Sequence, residues 1–102
     1  MTRQEAIEII DHILADRASL ITTGHFRDRL IEQDYIISDA RKILRERNIE
    51  REPERNEERD NYEVRMRGRS SDGRDTRLVL GLKERGNNVY VTITDIKHVG
   101  RR

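Results

Sequence analysis

At Tyr62 the spacing of the apolar residues changes period. Ahead of it, Ala6, Ile9, Ile10, Ile13 and Leu14 recur at three- and four-residue intervals, which is one face of a helix. From Tyr62 onward, Val64, Met66 and Gly68 alternate with Glu63, Arg65, Arg67 and Arg69, the signature of a half-buried strand. A chain that is helical first and strand-like afterwards must lay its helix stripes on one face of the sheet. The fold class is therefore α+β, with N-terminal helices packed on one face of a small antiparallel β-meander.

Local signals mark the elements. Thr2-Arg3-Gln4-Glu5 matches a capping box and predicts a helix from Arg3 to about Arg17. Leu20-Ile21-Thr22 is a brief extended stretch that could add a short fourth strand. Thr23 can cap a helix opened by Gly24, with Phe26, Leu30 and Ile31 toward the core. Tyr35 to Ile37 breaks the pattern. Ser38 is the expected cap of a third helix that buries Ala40, Ile43 and Leu44 and ends near Asn48. Residues 50–60, without an apolar side chain and holding the only proline, read as a solvated connector. Ser71-Asp72-Gly73 and Arg85-Gly86-Asn87-Asn88 are turns, with a central strand from Arg77 to Lys83 between them. In the last strand, Val89 to Ile96, Val89, Val91 and Ile93 should face the helices. Tyr90, Thr92 and Thr94 should face away, and the tail from Lys97 should fray. The parts form one domain: a helical addition (1–19), a helical part (20–49), the connector (50–60), the sheet (61–96) and a basic tail (97–102).

Composition limits what this domain can do. Charged residues make up 40% of the chain, yet Leu, Ile, Val and Phe still number 25 of 102 and the net charge is only +1, so a thin core under a charged skin is expected rather than disorder. With no cysteine there are no disulfides or thiolate metal sites. No apolar run is long enough for a signal peptide or a membrane span, which points to a cytoplasmic chain. Arginine outnumbers lysine 18 to 3, which fits either phosphate contacts or the codon usage of a GC-rich genome. Residues 61–102 carry a net charge of +5, compatible with a nucleic-acid surface without requiring one.

His25 is the first candidate for chemistry. As the second residue of a Thr23-capped helix it meets the positive end of the helix dipole, which disfavours imidazolium and leaves a base. The same N–H groups can hold a phosphate, and Arg29 follows one turn along the same face. Metal-free RNA cleavage needs such parts: a base for the 2′-hydroxyl, an acid for the leaving oxygen, and cations for the phosphorane. A polar residue beside a helix cap looks the same. Arg65, Arg67 and Arg69 form either a phosphate track or the charges that protect an edge strand. Tyr90 stands without other aromatics, which argues against base-stacking recognition across the sheet. His12, four residues before Asp16, and His98 in the tail lack metal spacing, so neither a metal nor another cofactor is expected.

"GHFRDRLIEQDYIISDARKIL", with Tyr62, "GRDTRLVLGL" and "VYVTITD", resembles an uncharacterised family of bacterial domains with a His-x-x-x-Arg helix. That family is grouped with the RelE/ParE-like toxins of the barnase–EndoU–colicin–RelE fold, and the resemblance spans residues 22–96. It implies a RelE/ParE-like sheet and a metal-independent endoribonuclease, with His25 as general acid/base, Arg29 and Arg74 stabilising phosphate and Thr92 positioning it. From the strand faces, Arg67 would add to the phosphate contacts and Tyr90 would support. It also implies RNA as substrate and an antitoxin or immunity-type protein over the open face. Two departures are Phe26, where the family has a small residue, and Gln33, where it often has arginine. The competing expectation is a non-catalytic module that binds protein or RNA on the open sheet face. A nuclease needs His25, Arg29 and the Arg67 strand face to converge on one concave site; a binding module does not.

Overall fold

In the computed structural model, which describes residues 1–16, 20–86 and 88–100, Thr2 and Glu5 satisfy each other across the first turn of α1 (Arg3–Asp16). The Thr2 N–H donates to Glu5 at 2.8 Å, and the Glu5 N–H donates to the Thr2 hydroxyl at 3.1 Å. Ala6, Ile10 and Ile13 are the buried stripe. The expected helix end at Arg17, turn residue Asn87 and the terminal Arg101-Arg102 lie outside the described residues. β1 (Leu20–Thr22) leads into α2 (Gly24–Glu32), whose cap is Thr23: its hydroxyl accepts the Phe26 N–H at 3.1 Å. Phe26 is completely buried.

The third helix, α3 (Ile37–Glu46), starts one residue before the cap expected at Ser38. The flanking residue is Ile36, whose side chain has no acceptor to offer, and Asp39 supplies the return half of the cap. One Asp39 oxygen accepts the Ile36 N–H at 3.0 Å; the other accepts the Ser71 N–H at 2.8 Å and the Ser71 hydroxyl. Asp39 is only 3% exposed and thus pins the start of α3 to the turn at Ser71. Burial pushes its carboxyl up, but the donors from Ile36 and Ser71 outweigh that and hold it below the ordinary 3.8. A depressed folded-state value means stabilisation present above the unfolded value and lost as pH falls through the folded one. Asp39→Ala is therefore expected to lower stability by about 2–3 kcal/mol at pH 7, on the order of 10 °C in Tm. In thermal melts across pH, the gap to wild type should narrow as the medium becomes acidic enough to protonate Asp39.

α3 ends where Arg47 turns left-handed (φ 60°). The chain then runs beside β3 (Asn61–Arg69): Arg67 N–H donates to the Asn48 carbonyl at 2.9 Å and Glu50 N–H to that of Arg65 at 2.8 Å. β2 (Glu54–Asn56) pairs antiparallel with the start of β3. The stretch 50–60 is thus not a free connector, and Arg65 and Arg67 do not lie on an open edge. Ile49 anchors the first of these segments in the core, backbone hydrogen bonds hold β2 without apolar side chains, and Arg55 stacks over the Tyr62 ring at 5.4 Å.

β4 (Asp75–Arg85) and β5 (Asn88–His98) complete the sheet. Its order is β1-β5-β4-β3-β2, with β1 parallel to β5 and the other pairs antiparallel. The expected meander is therefore the middle of a five-stranded mixed sheet. The tail does not fray at Lys97: β5 continues to His98, and Val99 N–H donates to Asp75 at 2.9 Å. Val64, Met66, Leu78, Leu80, Val91 and Ile93 face the helices and are buried. Where β1 stops, α2 takes over the outer side of β5. The Thr23 N–H reaches the Ile93 carbonyl at 3.2 Å, and at the other end of the helix the Gln33 side chain accepts the His98 N–H at 2.9 Å.

Candidate functional site

The site begins with a bulge. Val79 pairs with Asp95 but Leu80 pairs with Ile93, so Thr94 is an extra residue in β5. Its hydroxyl donates to the Val79 carbonyl at 3.2 Å. Strict alternation would place Asp95 on the helix side with Val91 and Ile93. The bulge reverses the phase: Ile96 becomes buried and Asp95 turns to the other face.

Two residues of α2 meet Asp95 there. Its Oδ1 accepts Arg29 Nε at 3.1 Å and the Ile96 N–H at 2.9 Å, and lies 3.5 Å from His25 Nε2. Arg29 also reaches Glu32 at 3.5 Å. The His25 side chain is 64% exposed, while those of Arg29 and Asp95 are 27% each. Arg29 thus fixes the carboxylate, which in turn is placed to orient an accessible imidazole whose Nδ1 makes no bond among the described residues.

His25 lines a depression of about 320 Å³ with Glu63, Arg65, Arg77, Asp95 and Lys97, and with Arg59 from the β2–β3 turn. A second depression holds Ile21, Asn61, Lys83, Tyr90 and Thr92. Arg59 and Thr94 line both, so the two join as one trough across the sheet. The floor of the second depression includes Gly81. A Cβ there would stand 2.7 Å from the Asn61 amide nitrogen, so the missing side chain is what lets Asn61 lie across the strand. Arg65 is paired with Glu63 at 3.1 Å and Arg77 with Glu50 at 2.6 Å. The side chains of Arg59, Lys83 and Lys97 make no ion pair among the described residues, leaving these cations available to an anionic ligand.

His25 and Arg29 are brought together, and Tyr90 and Thr92 stand in the adjoining half of the trough. Arg67 and Arg74 do not line it. Arg67 grips Asp75 through two bonds of 2.8 Å and Glu50 through a third of 3.1 Å, joining β3 to β4 and to the segment before β2. The Arg77 guanidinium foremost, against the cost of burial, holds the Glu50 carboxyl below the ordinary range, and Arg67 adds to the effect. Arg74 donates to the carbonyls of Gln33 at 2.6 Å and Asp34 at 2.7 Å and covers the Tyr35 ring at 4.0 Å. It closes the C-terminal end of α2 rather than contacting a ligand in the trough. Asp95, Arg59 and Lys97 are the site residues that strand periodicity did not single out. Among the described residues no group of three or more His, Asp or Glu could hold a metal ion, and no helix is long and apolar enough to cross a membrane.

No family model, curated protein or solved structure matches this chain.

Proposed function

We propose that the trough binds single-stranded RNA and that His25 acts as a general acid or base in its metal-independent cleavage, in the manner of a RelE-like toxin-type domain. The observation that carries this reading is convergence: α2 delivers His25 to the concave sheet face, where Asp95 stands to orient it and where Arg59 and Lys97, in no ion pair among the described residues, line the same depression. Attack of a 2′-hydroxyl on the neighbouring phosphorus needs one group to take a proton and another to return one to the departing 5′-oxygen. His25 and Glu63 line the same depression and supply the two roles. Arg59 and Lys97 take the charge on the phosphorane, and Arg29 acts through Asp95 as a positioning residue. The resemblance of residues 22–96 to RelE/ParE-like domains supports the same reading.

The test is incubation of folded protein in EDTA with single-stranded RNA and with the same sequence as DNA. Cleavage of RNA alone, leaving a 2′,3′-cyclic phosphate, is the expected result. Binding of both should weaken with salt, with a log–log slope near −2 for three phosphate contacts, at roughly 0.7 each. RNA bound but left intact would identify a non-catalytic RNA-binding module, and no binding at all would overturn both.

A further inference from the structure

At the β1 edge, on the helix side of the sheet, α1, α3 and β1 enclose a groove of about 210 Å³. Ile13, Leu14, Leu20 and Ile93 form its apolar lining, with Ile37, 41% exposed, along one wall. Thr22 and, one turn apart on α3, Arg41 and Arg45 complete the lining, and among the described residues no carboxylate lines the groove. Their neighbours on the same stretch of chain are matched: Lys42 pairs with Glu46 at 2.7 Å and Arg47 with Asp11 at 3.5 Å. Arg41 and Arg45 have no hydrogen-bond or ion-pair partner among the described residues. An apolar slot lined at one side by two guanidiniums that no described residue pairs suits an anion with an apolar body.

We infer that this groove binds a short amphipathic carboxylate, its chain among Ile13, Leu20 and Ile37 and its head group held by Arg41 and Arg45. The planar guanidinium fork suits a carboxylate, which can accept two parallel N–H bonds. The size sets the chain length: the groove is smaller than the roughly 300 Å³ at which drug-sized sites begin. Its lining offers no aromatic platform for a nucleobase. It shares no residue with the trough, so it stands whether or not the trough cleaves RNA.

The probe is octanoate, with 1-octanol as its uncharged counterpart, titrated into the full chain and followed by the methyl NMR signals of Ile13, Leu14, Leu20 and Ile37. Octanoate should shift these methyls saturably and bind at least roughly tenfold more tightly than octanol. The double variant R41Q/R45Q should lose roughly tenfold or more of the octanoate affinity and none of the octanol affinity. Both arginines are exposed and unpaired among the described residues, so the variant should fold, and unchanged signals away from the groove verify that. Equal binding of the two probes, retention of octanoate affinity in the variant, or shifts elsewhere on the surface would each overturn the assignment. Tighter binding of the peptide Ac-Glu-Ile-Glu-Ile-Glu-NH2, with shifts in the β1 amides, would overturn it in favour of a protein partner.

Discussion

His25→Ala is expected to lower RNA cleavage by roughly 10²–10⁴-fold while leaving RNA affinity within a few-fold of wild type. The two quantities separate because the imidazole is one group among several cations: Arg59, Lys83 and Lys97 remain to hold phosphate. The fold should survive, since the side chain is 64% exposed and alanine is a good helix residue. Asp95→Asn keeps the shape but removes the charge that faces both His25 and Arg29, and should give a smaller loss of cleavage than His25→Ala. Single-turnover cleavage assays on folded protein measure both. Equal cleavage by wild type and His25→Ala would remove His25 from the reaction.

The second large effect is on stability. Phe26 is the only phenylalanine and is fully buried, in a core otherwise made largely of Ile, Leu and Val. Phe26→Ala should cost about 3–5 kcal/mol, a large share of the roughly 5–15 kcal/mol that a domain has in total. In urea the midpoint should fall sharply with little change in slope. The consequence reaches the trough, because Phe26 anchors α2 between His25 and Arg29. Activity should be lost together with structure, whereas in His25→Ala it is lost alone. Phe26→Leu, with a smaller cavity, should retain both in large part.

Much of the fold is legible in the sequence because its signals are local. The Thr2–Glu5 box, the Thr23 cap, the stripe of α1 and the alternation in β3 each follow from residues a few positions apart. What is not legible depends on partners distant in the chain. β1 has three residues and no pattern of its own; its parallel pairing is decided by β5. Glu54-Arg55-Asn56 contains nothing apolar, so its pairing with β3 rests on backbone bonds that leave no trace in hydropathy. Asp95 is the instructive case in the site. Read at period two from Val91 and Ile93, it belongs in the core, where a carboxylate would be costly. The bulge at Thr94 removes the conflict. A charged residue that falls on the apolar phase just after two strand threonines is thus the one available signal of a change in phase. Arg67 and Arg74 show the reverse: arginines in plausible motif positions whose carboxylate and carbonyl partners become visible only once the chain is folded.

The parallel pairing of β1 with β5 also governs the order of assembly. Leu20 to Thr22 meet Val91 to Ile93, some seventy residues later in the chain. The hairpins β3–β4 and β4–β5 join neighbours, so they can form early, whereas closure of the long loop carries a larger entropic cost. During synthesis the first helices therefore have no sheet edge on which to settle until β5 has emerged. His25 cannot meet Asp95 before then, and any activity of the trough stays silent on a nascent chain until its last strand is in place.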